Sequence, residues 1–276
     1  MPKSWLWMKV AWAAVRCRSN REFYDRIAPI YDELFVEHRI HALTIAQLLG
    51  SSFAGKEENT DVLDLGCGTG LLSRMLADRG YRVVGLDLSY ESLRIFKSCN
   101  GRSAAVQADA EHLPFTGASF DSVVCLGTWR HFSNIQSVLH EVARALTRNG
   151  LFVIGYFPPA MAGAVHVGRG SVGRLLVSLY RLATRFLGYV DRADFELEEE
   201  AVASAKERFH TVRVIPSGKH SRVILATHPK ITHSGGTQGV TPTLQSDGDV
   251  HRQPYGASPD CFVRARSTAT SVCACT

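Results

Sequence analysis

At 276 residues the chain has room for one α/β domain or two small ones. Its 45% hydrophobic and 21% charged residues are ordinary for a globular protein, which excludes collagenous and fully disordered classes. A net charge of +5 is too mild to specify a nucleic-acid partner, and no uninterrupted run of 18 apolar residues supports a membrane-spanning helix.

In chain order, residues 1–20 form a tryptophan-rich basic segment. Lys3 followed by Trp5 to Val15 has the outline of a secretory signal, but Lys9 breaks the apolar run and leaves only Val10 to Val15 uninterrupted. A helix is expected, leaning on the body of the fold or on a membrane surface. Trp5, Trp7 and Trp12 beside Lys3, Lys9, Arg16 and Arg18 fit an interfacial helix, and packing against the body is preferred. Helical stretches are expected over Arg21–Phe35 and His38–Leu49, before a turn-rich Gly50–Asn59.

From about Thr60 short β-branched runs alternate with amphipathic stretches, the pattern of βαβ units and a parallel sheet. Strands are expected at Val62–Leu65, Arg82–Leu86, Ala104–Ala108, Ser122–Leu126 and Leu151–Phe157, and helices at Leu71–Asp78, Ser89–Cys99 and Ile135–Leu146. Pro158 and Pro159 then stop the rhythm, and an insert, 160–195, follows. Its apolar positions from Val172 to Phe186 recur at helical spacing, beside a stripe of Arg174, Arg181 and Arg185. A helix through about Arg208 leads to strands His210–Ile215 and Ser221–Thr227, whose short turn implies an antiparallel hairpin. From Pro229 hydrophobic periodicity disappears and a disordered, low-complexity tail, 229–276, is expected. The seven cysteines are odd in number, scattered and without a CxxC pair, which favours reduced thiols and a cytoplasmic setting over a disulfide framework.

The chemistry concentrates in Val62-Leu63-Asp64-Leu65-Gly66-Cys67-Gly68-Thr69-Gly70, a buried strand, a glycine turn and a helix start. Without a Cβ, glycine reaches positive φ cheaply and lets a ligand approach the backbone. The spacing is G-x-G-x-G, where a dinucleotide fingerprint has its third glycine one residue later. Asp87 ends the second strand, 21 residues after Gly66, placed to accept from both hydroxyls of a ribose; Asp109 and Ala110 follow the third. Each carboxylate alone could orient a loop, cap a helix or close a turn. Three of them at three strand ends point to one ligand crevice.

In this order, Asp64 to Gly70, Gly85-Leu86-Asp87-Leu88-Ser89, Ala108 to Phe115 and Ser119 to Cys125 resemble the successive motifs of class I S-adenosylmethionine-dependent methyltransferases. The resemblance runs from about Phe23 to Thr227, within an expected domain of residues 21–228. It implies a Rossmann-like, doubly wound seven-stranded sheet of order 3-2-1-4-5-7-6, its last strand antiparallel, preceded by helices. It also implies S-adenosylmethionine as cofactor, with the methionine part held by Asp64 and the Gly66, Cys67, Gly68 and Gly70 loop. Asp87 would hold the ribose, Leu88 the adenine face, Asp109 and Ala110 the adenine edge, and the backbone of Cys125 and Leu126 the amine. Tyr24-Asp25-Arg26-Ile27-Ala28-Pro29-Ile30-Tyr31-Asp32 is similar to the Y-D-x-x-A-x-x-Y-D segment of small-molecule members, where Tyr31 would cover the cofactor.

A sulfonium methyl is already electrophilic, so such a protein chiefly aligns a nucleophile and excludes water. His131, beyond the fourth strand, is the candidate general base. The acceptor expected is a small, hydrophobic molecule methylated at O or C, with the insert as lid and Trp129 as a wall. A nucleic-acid or protein methyltransferase and a non-catalytic cofactor-binding protein stay open as alternatives, although no dedicated nucleic-acid module is visible. Peripheral membrane contact through the N-terminal helix or a 171–188 helix is a further expectation. His38 and His41 stand three apart with no third ligand by spacing, so no metal is expected.

Overall fold

The structure is a computed structural model and describes residues 4–34, 38–101, 103–156, 197–217, 221–230 and 263–264. Eight strands form one sheet: β1 (Asp61–Leu65), β2 (Arg82–Asp87), β3 (Ala104–Gln107), β4 (Phe120–Leu126), β5 (Leu146–Tyr156), β6 (Phe209–Ser217), β7 (Ser221–Pro229) and β8 (Val263–Arg264). Their order is β6-β7-β5-β4-β1-β2-β3-β8, so the first seven have the expected 3-2-1-4-5-7-6 arrangement. β1 to β5 pair in parallel, and β7 runs antiparallel to both β5 and β6. The two-residue β8, from the stretch expected to be a disordered tail, adds in parallel to β3 at the far edge.

The helices are α1 (Ser4–Arg16), α2 (Asn20–Ile27), α3 (Tyr31–Leu34), α4 (His38–Ser52), α5 (Leu71–Ala77), α6 (Tyr90–Cys99), α7 (Ile135–Ala145) and α8 (Leu197–Arg208). Both faces of the central strands are covered, so their residues alternate between two apolar layers rather than between core and water. Leu63, Val123, Phe152 and Ile154 face the layer with α7 and α8, where Val138, Leu139, Val142, Ala201 and Ala205 pack. Val62, Val124, Leu151 and Val153 face α4 and α5, against Ile45, Leu49, Leu72 and Leu76.

Most boundaries shift by one to three residues from the sequence reading, and two differences have a clear local cause. The helix expected over Arg21–Phe35 is interrupted by a 3-10 turn, Ala28–Ile30, with Pro29 inside it, because proline has no amide hydrogen to continue the ladder. Strand β5 begins at Leu146, which pairs with Phe120 across a register shift before regular pairing resumes at Leu151. The polar Thr147–Gly150 stretch masked that early start. The insert 160–195 lies outside the described residues, as does most of the tail.

Candidate cofactor and acceptor site

β1, β2, β3 and β4 end on one rim of the sheet. The chain runs from β1 outward to β3 and then returns to the other side of β1 with β4. That reversal opens a crevice beyond the strand ends. It measures about 580 Å³ and is lined by Gly66 and Gly68 after β1, Asp87 and Leu88 at the end of β2, Asp109 and Ala110 after β3, and Thr128 and His131 after β4.

The glycines have different reasons to be there. Gly66 has φ +72°, and a Cβ on it would lie 2.3 Å from Thr128 Oγ1, which itself donates to Gly66 O at 3.0 Å. Gly68 has φ +54°, but nothing stands within 4 Å of its Cβ position. One glycine is demanded by packing between strand ends; the other leaves a cradle open toward the crevice.

Asp87 is held from both sides. Its Oδ2 accepts from the Gly68 amide at 2.8 Å and its Oδ1 from the Ser89 amide at 2.8 Å. A carboxylate has about four acceptor positions, so these bonds orient it and leave capacity for two more donors. Burial pushes its pKa up against the pull of those amides. Neither oxygen caps the helix that follows: the N-cap of α6 is Ser89, whose hydroxyl accepts from Ser92 N. Asp109 likewise closes a turn, its Oδ1 accepting from Glu111 N at 3.0 Å, while it stands exposed on the crevice wall. Leu88 projects an exposed side chain beside Asp87, and its carbonyl accepts from Gln107 Nε2 at 3.1 Å, which steadies the loop.

Asp64 sits deeper, at 1% exposure, in the lining of a smaller adjoining cavity of about 120 Å³ with Cys67, Leu126, His38, Arg39 and Arg74. Burial pushes its carboxyl up to about 7, the Ser73 hydroxyl that donates to it at 2.6 Å opposes this, and the charge of Asp87 adds to it. Tyr31 lines both cavities and joins them. Gly70 and Cys125 line neither. Gly70, at φ +88°, caps α5, and its missing Cβ makes room for Asn100 and Phe96; Cys125 is fully buried in the core. Burial drives the Cys67 and Cys125 thiols well up, which rules out thiolate chemistry at neutral pH.

The segment before the sheet contributes more than its sequence disclosed. Tyr24 Oη and His131 Nε2 share a hydrogen bond of 2.7 Å, and both residues line the crevice. Asp25 accepts from Ser89 Oγ at 2.7 Å and from Glu91 N at 3.1 Å, at the start of α6. Asp32 accepts from Thr69 Oγ1 at 2.6 Å. The repeated Tyr-Asp pairs thus fasten a roof over the glycine loop. Trp129, expected as an acceptor wall, is instead 3% exposed and packed against Phe132 and Phe152 in the core. Among the described residues no group of three His, Cys, Asp or Glu side chains is arranged to hold a metal.

The methyltransferase domain family matches residues 63–154, from β1 through β5. A malonyl-[acyl-carrier protein] O-methyltransferase of Geobacter sulfurreducens is 31% identical over 207 residues, covering 71% of this chain and 72% of that enzyme. The chain belongs to the class I S-adenosylmethionine-dependent methyltransferases. A demethylmenaquinone methyltransferase of Tropheryma whipplei is 32% identical over 144 residues, 50% of this chain and 58% of the relative. Of other curated relatives it matches, including one of Methanocaldococcus jannaschii, the chain spans about half the length. A solved S-adenosylmethionine-dependent methyltransferase of Thermotoga maritima superposes with a TM-score of 0.53 at 20% identity, over 74% of this chain and 98% of that one, which shows the shared fold.

The crevice fits the family's cofactor on its own terms. An oriented carboxylate with acceptor capacity to spare suits a vicinal diol, the open Gly68 cradle admits a ligand against the backbone, and two neighbouring buried carboxylates suit a cationic guest.

Proposed function

We propose that the protein transfers a methyl group from S-adenosylmethionine to an oxygen or carbon of a small, hydrophobic acceptor. The observation that carries this reading is the Tyr24–His131 pair in the wall of the same crevice as Asp87, Leu88 and Asp109. The cofactor supplies an activated methyl group, and the chain supplies position, dryness and a path for one proton. Asp87 and the Gly68 cradle set the adenosine end, and Tyr31 covers the junction with the Asp64 cavity. Tyr24, Phe132 and Tyr31 make the space beside the glycine loop aromatic and poor in water, which strengthens every polar contact inside it.

Bound there, the cofactor would supply its methyl group to the acceptor's oxygen or carbon and keep the sulfur's electron pair as thioether, and the Tyr24–His131 pair would take the acceptor's proton. Tyr24 Oη and His131 Nε2 are close enough to pass it from one to the other, with the imidazole as the accepting base. The relatives named for a malonyl thioester carrier and for demethylmenaquinone support a small organic acceptor.

Transfer of labelled methyl to extracts separated into lipids, metabolites, RNA and protein tests the acceptor class. Label in the organic-soluble or metabolite fraction is expected; label confined to RNA or protein overturns the reading. With an acceptor in hand, Tyr24→Phe and His131→Gln lower kcat by about 10²–10⁴-fold with unchanged cofactor Kd, on the order of general-base effects.

A further inference from the structure

Helix α1 has two apolar faces, and only one is covered. At about 100° per residue, Leu6, Val10, Ala13 and Ala14 fall within an arc of about 100°, and Trp5, Met8, Trp12 and Val15 within about 80° on nearly the opposite side. The first set is buried against Phe23, Ile27, Ile30 and Leu34. The second stands out from the surface, at 47%, 57%, 54% and 68% exposure. Scattered exposed apolar residues are ordinary, but four in one stripe at 3-4-3 spacing along a single helix are not.

Charge distinguishes what would cover this stripe. Residues 1–21 carry Lys3, Lys9, Arg16, Arg18 and Arg21 and no acid; the remaining chain has 26 basic against 26 acidic residues, so the whole net charge of +5 resides in this segment. The cations also border the tryptophans in space. Lys9 Nζ lies 4.8 Å from the Trp5 ring centre, and the Arg16 and Arg26 guanidinium groups each lie 5.3 Å from that of Trp12. Indoles flanked by long basic side chains suit the boundary between headgroups and acyl chains, where the ring has an apolar body and a polar N–H and the cations reach phosphate. A second copy meeting this face would set Lys9, Arg16 and Arg26 against their like, which disfavours self-association.

We propose that the outer stripe of α1 docks on an anionic lipid bilayer. Docking orients the crevice, because α1 runs straight into Ser19, Asn20 and Arg21, which line its mouth. The proposal does not depend on the acceptor's identity. It differs from a membrane-spanning reading, since no helix among the described residues is long and apolar enough to cross a bilayer.

The test uses the full chain with phosphatidylcholine vesicles, with and without one-third phosphatidylglycerol, followed by co-sedimentation and tryptophan fluorescence. Anionic vesicles are expected to bind at least about tenfold more strongly, given about a fivefold gain per basic residue near the surface. Brominated acyl chains are expected to quench emission, since Trp5 and Trp12 are exposed whereas Trp129 is buried. Trp5→Ser with Trp12→Ser abolishes vesicle binding while melting temperature and cofactor Kd stay as in the wild type. Lys9→Glu with Arg16→Glu removes the preference for anionic lipid. The proposal is overturned by no binding to either vesicle, by equal binding to both, by binding that survives the double tryptophan change, or by a concentration-dependent dimer that this change dissolves.

Discussion

Asp64→Asn is expected to stabilise the cofactor-free protein increasingly as pH rises from about 4 to about 7, and to do nothing for it below about pH 4. Burial raises the folded-state carboxyl from the ordinary 3.8 to about 7, so the native protein holds a proton that the unfolded chain gives up. Below about pH 4 both states are protonated and Asp64 costs nothing; between about 4 and 7 the unfolded chain ionises while the native state keeps its proton, so stability falls with pH, and above 7, where the native carboxyl ionises too, the loss levels off. At pH 8 the loss approaches three pKa units, a ceiling of about 4 kcal/mol at 1.36 kcal/mol per unit. For a domain of this size about 1 kcal/mol moves the melting temperature by about 2–4 °C, so a quarter of the ceiling remains measurable. The amide keeps an oxygen for the Ser73 hydroxyl and, like the protonated acid, adds no charge. Melting curves of both proteins from pH 4.5 to 8 are the assay. The gap in melting temperature should open with pH, and added S-adenosylmethionine should reverse it, because a cationic ligand favours the ionised carboxyl. A gap that is constant with pH, or a variant less stable than wild type at pH 8, would refute the reasoning.

Asp87→Asn should weaken cofactor binding by about 10- to 150-fold, since hydrogen bonds to a charged group contribute about 1.5–3 kcal/mol, and calorimetry showing less than a threefold change would contradict the assignment. Gly66→Ala and Gly68→Ala should separate packing from binding. The first drives a methyl into Thr128 and unfolds at lower denaturant by about 1–3 kcal/mol more than the second. The second, strained by only about 1–2 kcal/mol at its positive φ, folds but loses cofactor affinity, as equilibrium unfolding beside titration would show. Asp25→Ala should loosen the roof alone: amides of α2 exchange faster by native-state hydrogen exchange while those of β1 and β4 keep their protection.

Much of the fold is readable because the sheet is covered on both faces. Strands such as Val62–Leu65 and Ser122–Leu126 appear as short continuous apolar runs, and the acids that end or follow them announce a polar rim. The positions of Asp87 and Asp109 at that rim were legible for that reason, and the order of the strands followed once the successive motifs suggested the family. What escaped depends on contacts between distant residues. The Tyr24–His131 bond spans 107 positions, and Asp25 reaches Ser89 across 64, separations for which no local spacing rule exists. The burial of Trp129 was hidden for the same reason: an indole after a strand end reads equally well as wall or core. The pairing of Val263 with Val106 has no compositional signal at all, since two residues carry no periodicity.

The distribution of apolar contacts explains why the Tyr-Asp pairs are needed. Leu6, Val10, Phe23, Ile27 and Leu34 form a cluster of their own, separate from the layers on either side of the sheet. A roof with its own small core is stable enough to keep its shape, yet it shares little buried surface with the floor beneath it. Its position therefore rests on directional bonds: Asp25 to the start of α6, Asp32 to Thr69, Tyr24 to His131, and Asn20 Nδ2 to the His131 carbonyl at 3.4 Å. Net hydrogen bonds of this kind contribute about 0.5–1.5 kcal/mol each, or up to about 3 where one partner is charged. A handful of them fixes the roof over the crevice without adding to the cores of the sheet. All four bonds end on residues that line the crevice or on the glycine loop beneath it. A ligand that settles there therefore meets the same residues that fasten the roof.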